Sequence, residues 1–112
     1  MIEELIISHL SAALTVPVYA EVPAGVDADE YVVIERTGGE LVNWVKSAVI
    51  AVQSYSKSLR GAAALNENVK EAMLELVELN SIGGCHLDGD YNFTDTTKKQ
   101  YRYQAVFFVT YY

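Results

Sequence analysis

The chain has 112 residues, 51% of them hydrophobic and 21% charged, with a formal net charge of −7. That length sets a single domain over residues 1–112, and that apolar content argues against disorder. The acidic balance, with only eight Lys and Arg, excludes a specific grip on a nucleic-acid backbone, which needs clustered cations. One cysteine, Cys85, rules out an internal disulfide and fits a reducing compartment. Glu3 and Glu4 stand where a secretory leader would be basic, and no apolar run reaches spanning length. Neither a signal peptide nor a membrane partner is therefore expected.

Met1–Leu14 reads as a first helix, with Ile2, Leu5, Ile6, His9 or Leu10, and Ala13 recurring at helical spacing and two acids in the first turn. Pro17 stops it, because the residue before a proline avoids the helical region. Val18–Val22 alternates as a short strand, Pro23–Glu30 is a polar connection, and Tyr31–Thr37 is a second strand that Gly38-Gly39 should break. Glu40–Trp44 is ambiguous between the start of a long strand and a loop tip carrying an exposed Trp. Val45–Tyr55, centred on Ala48-Val49-Ile50-Ala51-Val52, suits a central strand.

Leu59–Leu79 is the strongest helix. Leu59, Ala62, Ala63, Leu65, Val69, Met73, Leu76 and Val77 form its apolar stripe, and Ser56 or Ser58 offers an N-cap oxygen. Ser81–Gly84 reads as a turn whose glycines tolerate the left-handed backbone near a helix end. Cys85–Leu87 begins a strand, and Asp88–Lys99 is a polar segment around the island Tyr91-Asn92-Phe93. Gln100–Tyr112 is a long final strand with Tyr101, Tyr103, Ala105, Phe107, Val109 and Tyr111 on one face. If that strand lies at the sheet edge, it offers backbone pairing to another subunit; the alternative is an internal strand with wet tyrosine tips. The order predicts an α+β fold: a mainly antiparallel β-sheet with two α-helices packed on one face.

No enzyme motif emerges, and no catalytic residue, cofactor or metal is expected. Cys85-His86 with Asp88 and Asp90 is the densest set of ligand-type residues. Adjacent residues on a strand face opposite ways, however, and a second Cys/His pair is missing. Asp88-Gly89-Asp90-Tyr91-Asn92 starts like a calcium loop but has Phe93 and Lys99 where Gly and Glu are needed. The features that remain are interaction signals on two polar segments with embedded aromatics: Gly38, Gly39 and Trp44, then Tyr91, Asn92, Phe93, Lys98 and Lys99.

Taken together, the Pro17-Val18-Tyr19-Ala20-Glu21-Val22-Pro23 segment, Tyr31-Val32-Val33-Ile34-Glu35, the Gly-Gly pair, the strand running through Gln53 into Ser56-Lys57-Ser58 and an Ala-rich helix, Tyr91-Asn92-Phe93 and the Tyr-rich end resemble one family. It is that of the tail-completion, or tail-terminator, proteins at the head–tail junction of long-tailed bacteriophages and prophages. The resemblance implies a virion protein made in the host cytoplasm. It would form a homo-oligomeric ring, commonly a hexamer, that caps the tail tube and links it to the neck or connector; a monomer in isolation is compatible with this. Surplus carboxylates lining such a ring would repel DNA passing through it. The alternatives are another neck or minor tail protein of the same fold, or a small-ligand-binding cytoplasmic α+β domain with a concave apolar pocket.

Overall fold

The computed structural model describes residues 2–22, 29–42 and 44–112. Most of the Pro23–Glu30 connection expected from the sequence lies outside these residues. The elements are α1 (Ile2–Ala13), β1 (Val18–Tyr19), β2 (Tyr31–Val42), β3 (Val45–Ser56), α2 (Leu59–Leu74), a 3-10 turn (Glu75–Glu78), β4 (Ile82–Asn92) and β5 (Tyr101–Tyr111).

The apolar stripe of α2 has one place to go, the centre of the sheet. The strands lie in the order β1-β2-β3-β5-β4. Every pairing is antiparallel except that of β1 with β2, which is parallel. Val32 and Ile34 of β2, Ala48, Ile50 and Val52 of β3, and Ala105, Phe107 and Val109 of β5 meet Leu65, Val69, Met73 and Leu76 in one buried cluster. Ile6 and Leu10 of α1 join the same cluster, so both helices cover one face of the sheet. Full burial of each such side chain contributes about 1.5–3 kcal/mol. His9 fastens α1 to α2, its Nε2 lying 2.7 Å from the Ala72 carbonyl oxygen. Ser58 caps α2 by accepting the Gly61 amide at 2.9 Å, the bond expected of an N-cap serine. This is the α+β arrangement that the sequence predicts.

Three local expectations are corrected. Gly38-Gly39 does not break the second strand; β2 continues to Val42, with a register shift between Arg36 and Gly38 that inserts Thr37 as a bulge. The glycines serve close approach there, since a Cβ on Gly39 would collide with the Ser47 carbonyl oxygen and the Arg36 side chain. Second, the long helix stops at Leu74 and continues as a 3-10 turn, and Gly83 and Gly84 belong to β4 rather than to a helix cap. Third, Leu59 and Val77, placed on the buried stripe by their spacing, are 42% and 47% exposed, because one lies in the first turn of α2 and the other in the tightened turn that follows it. The position of the final strand, left open between edge and interior, is internal: β5 lies between β3 and β4, so the edge beside it is β4. β1 pairs only with Val32 and Val33, which leaves the rest of β2 at the other edge.

Phe107 is fully buried at the centre of the cluster. Phe107→Ala is expected to lower unfolding stability by about 3–5 kcal/mol, read as a shifted midpoint in urea melts; a loss below about 1 kcal/mol would show that the site relaxes around the cavity.

Candidate functional site

With both helices on one side, the opposite face of the sheet has to be furnished by its own side chains. At one end it carries a small aromatic cluster: Tyr31 stacks on Tyr55 with ring centroids 4.6 Å apart, and Tyr19 meets Tyr31 edge-on at 6.1 Å. From Tyr55 a hydrogen-bonded chain crosses the strands. Arg102 donates to the Tyr55 hydroxyl at 3.1 Å, and Tyr55 donates to Gln53 at 3.1 Å. Gln53 donates to Gln104 at 2.8 Å, and Gln104 donates to the Tyr91 hydroxyl. Gln53 and Gln104 are direct cross-strand partners, as are Gln104 and Tyr91. The alternation along β3 and β5 places all of these groups on the open face. Further along it, Phe108 lies 5.3 Å from the exposed His86 ring.

The two hairpin connections sit at opposite ends of the sheet. Pairing of Lys46 with Tyr111 and of Ser56 with Tyr101 places the β2–β3 turn at one end and the β4–β5 connection at the other. The strands run along the longest dimension of a molecule measuring 44 × 25 × 24 Å. Among the described residues, each tip holds one non-glycine residue with positive φ, Trp44 at 68° and Lys99 at 52°. Left-handed backbone costs a residue bearing a Cβ about 1–2 kcal/mol.

The Trp44 tip is apolar. Val42 pairs with Val45, which leaves a two-residue turn, the geometry that demands left-handed backbone. Trp44 is 89% exposed, and Leu41 and Val45 beside it are also exposed. The sequence left the setting of Trp44 open between loop and strand; the signal that could have settled it is the two-residue spacing between the apolar residues Leu41-Val42 and Val45, with an Asn between them. Gly38 and Gly39 lie back along β2 and are not part of this tip.

The opposite tip is polar. Asp95 Oδ1 accepts the Thr97 and Lys98 amides at 3.0 and 3.2 Å, which folds the turn and displays Lys98 and Lys99. Neither lysine makes an ion pair among the described residues. They rim a cleft of about 490 Å³ floored by Tyr31 and Tyr55, with Lys57 held by Asp29 at 2.9 Å. Tyr91 and Asn92 end β4. Asn92 accepts the Thr94 amide and hydroxyl at 3.0 and 2.6 Å. Phe93 folds back: the Arg102 guanidinium lies 4.5 Å from its ring centroid and donates to its carbonyl at 2.6 Å. Of the eight residues singled out in the sequence, Trp44 stands at one end, Tyr91, Asn92, Phe93, Lys98 and Lys99 gather towards the other, and Gly38 and Gly39 lie within β2, so they do not form one surface.

The Cys85–Asp90 stretch is strand, and its side chains part company. Cys85 packs against the helix-covered core, and burial pushes its thiol up to about 11. His86 points the other way, onto Phe108. Asp90 reaches α2, where it accepts from Asn66 and Lys70, each at 2.9 Å. The bond from Lys70 is the main reason its carboxyl lies below the usual range. Lys70 is raised in turn, first by its hydrogen bond to Glu67 and then by that to Asp90. Among the described residues no group of three or more His, Cys, Asp or Glu could hold a metal ion, and no helix is long and apolar enough to cross a membrane.

Two outcomes follow from these environments. Because Asp90 titrates lower in the folded chain than its unfolded value of about 3.9, its contribution to stability is complete above that value and disappears as pH falls through the folded value. Asp90→Asn should therefore remove part of the acid-side loss of stability in melts recorded across that window, and an unchanged pH profile would count against the Lys70 contact. Cys85 at pH 8 should react with a thiol reagent far more slowly in the folded chain than in urea, since the thiolate is the reacting form; equal rates would contradict its burial.

No family model matches the chain, and no curated protein matches it. Among solved structures the chain is similar to one from a structure described as "Virion of native gene transfer agent (GTA) particle". The TM-score is 0.62 at 16% sequence identity, and the match covers 96% of this chain and 84% of the other. At that identity the likeness establishes a shared fold along nearly the whole chain.

Proposed function

We propose that this chain is a structural subunit of a phage-type virion, and within it a tail-terminator or head–tail joining subunit that forms a ring, commonly of six copies, on the end of the tail tube. The observation that carries the reading is the backbone match to a chain of a gene transfer agent virion over 96% of the length. It agrees in kind with the resemblance of the sequence to tail-completion proteins, which was drawn from residue patterns alone.

The geometry supports a joint between unlike neighbours. The end bearing the exposed Leu41 and Val45 and the end bearing Lys98-Lys99 differ in chemistry, so a ring with its strands along the axis would present unlike rims to its two neighbours. The tail tube and the neck are the neighbours proposed, and the virion is the proposed location. The surplus acidic charge of −7 suits a ring lumen that DNA slides through without adhering.

Tails assembled without the chain are expected to be overlong or headless in negative stain, and adding it back should restore fixed-length tails that join heads. Tails of normal length that fail only at head joining would place the chain elsewhere in the neck. Tails that form and join normally without it would overturn the reading.

A further inference from the structure

We infer that Trp44 of one copy seats in an apolar groove of the next, formed by Ile2, Leu5, Lys46, Ser81, Tyr111 and Tyr112. The inference rests on the ring reading and identifies a contact that would join its subunits. The groove has a volume of about 230 Å³. That is smaller than a typical small-molecule site, roughly 300–1,000 Å³, and suits a single aromatic side chain. Its walls are the first turn of α1 and the last residues of β5, with Lys46 lying 5.9 Å from the Tyr111 ring centroid.

Nothing among the described residues of one chain explains Trp44. It occupies a left-handed turn position where Gly would be unstrained, and it is 89% exposed, so it contributes neither good backbone geometry nor core packing. An exposed tryptophan flanked by Leu41 and Val45 has the character of a binding anchor, a large ring whose burial stabilises an interface. The groove lies at the same end of the molecule as the tip, because Lys46 sits two residues from Trp44 and pairs with Tyr111. Antiparallel pairing continues to Val42 and Val45, which holds the tip away from its own groove. A second copy rotated about an axis along the strands presents its groove at the level of the first copy's tip. Each such contact uses one tip and one groove and leaves one of each free. It is therefore heterologous, and its repetition closes a ring when the rotation divides a full turn. Copies that each carry a charge of −7 repel one another at long range, so a short-range apolar anchor is the kind of contact that overcomes the repulsion.

Trp44 is the single tryptophan of the chain, so its fluorescence reports the contact directly. Concentrating the wild-type chain should give higher-order species in light scattering, with a blue-shifted emission protected from a soluble quencher. Trp44→Gly should weaken self-association by at least about tenfold while leaving the monomer as stable or more so in urea, because the turn strain is relieved. Tyr112→Asp, at a residue 69% exposed, and Ser81→Arg, which plugs the same groove, should block association from the other side; two groove variants guard against one that misfolds. The deciding experiment mixes Trp44→Gly with Tyr112→Asp. The first keeps a groove and the second keeps a tip, so a one-to-one dimer with blue-shifted emission is expected, and nothing larger.

A mixture that stays monomeric, or wild-type assemblies whose Trp44 remains open to the quencher, would overturn the contact. Fixed-length tails built from subunits with an exposed Trp44 would overturn it while leaving the ring reading standing.

Discussion

The packing of α2 on the centre of the sheet is the contact on which the rest of the structure depends. Val69 and Met73 share one buried cluster with Ile50, Val52 and Phe107, and α1 completes it through Ile6 and Leu10. Once both helices occupy that side, the strands have a dry face and an open face. Alternation along each strand then decides the position of every residue of β3 and β5. The open face cannot be uniformly apolar without inviting aggregation. It is held instead by stacked tyrosines and by the chain of donors from Arg102 to Tyr91. That network ties β3, β5 and β4 together where no helix does.

The sheet edges show how association is restrained and where it is allowed. β4 carries two register shifts, between Ile82 and Gly84 and between Leu87 and Gly89, and β2 has one between Arg36 and Gly38. Bulges and edge charges such as Asp88, Glu35 and Glu40 discourage open-ended strand addition. Against that background the Trp44 tip stands out as an apolar group placed where it cannot pack on its own chain. Blunted edges and one projecting apolar group are the features on which the proposed ring contact draws.

The ligand-type residues around Cys85 are accounted for by the same geometry. Period-two alternation sends Cys85 into the core and His86 outward, and the bulge after Leu87 brings Asp90 onto the helix side to meet Lys70 and Asn66. What is dense in the sequence is dispersed by the strand: Cys85 packs in the core, His86 lies on Phe108, Asp90 meets Lys70 and Asn66, and Asp88 is the exposed residue of the bulge. The gene transfer agent likeness belongs to the backbone as a whole rather than to any residue set, since only 16% of positions are identical.

Element identity was legible in the sequence wherever a pattern repeats over several turns or pleats. The stripe of α2, the apolar centre of β3 and the alternation of β5 each state their own period, and together they specify the layers and the covered face. Glycine-rich places were misread because Gly signals freedom from a side chain, not what the freedom is for. At Gly38-Gly39 and Gly83-Gly84 it permits strands to continue through bulges and close approaches rather than ending them. The candidate residues themselves were named from the sequence, but their division between two ends could come only from the fold, because it follows from the register of β3 with β5. Strand order, the internal position of β5, and the placing of Trp44 beside a groove it cannot fill arise from contacts between residues far apart in the chain. Local patterning sets which face of each element is apolar; only closure of the sheet beneath the helices decides which elements are neighbours and what is left exposed.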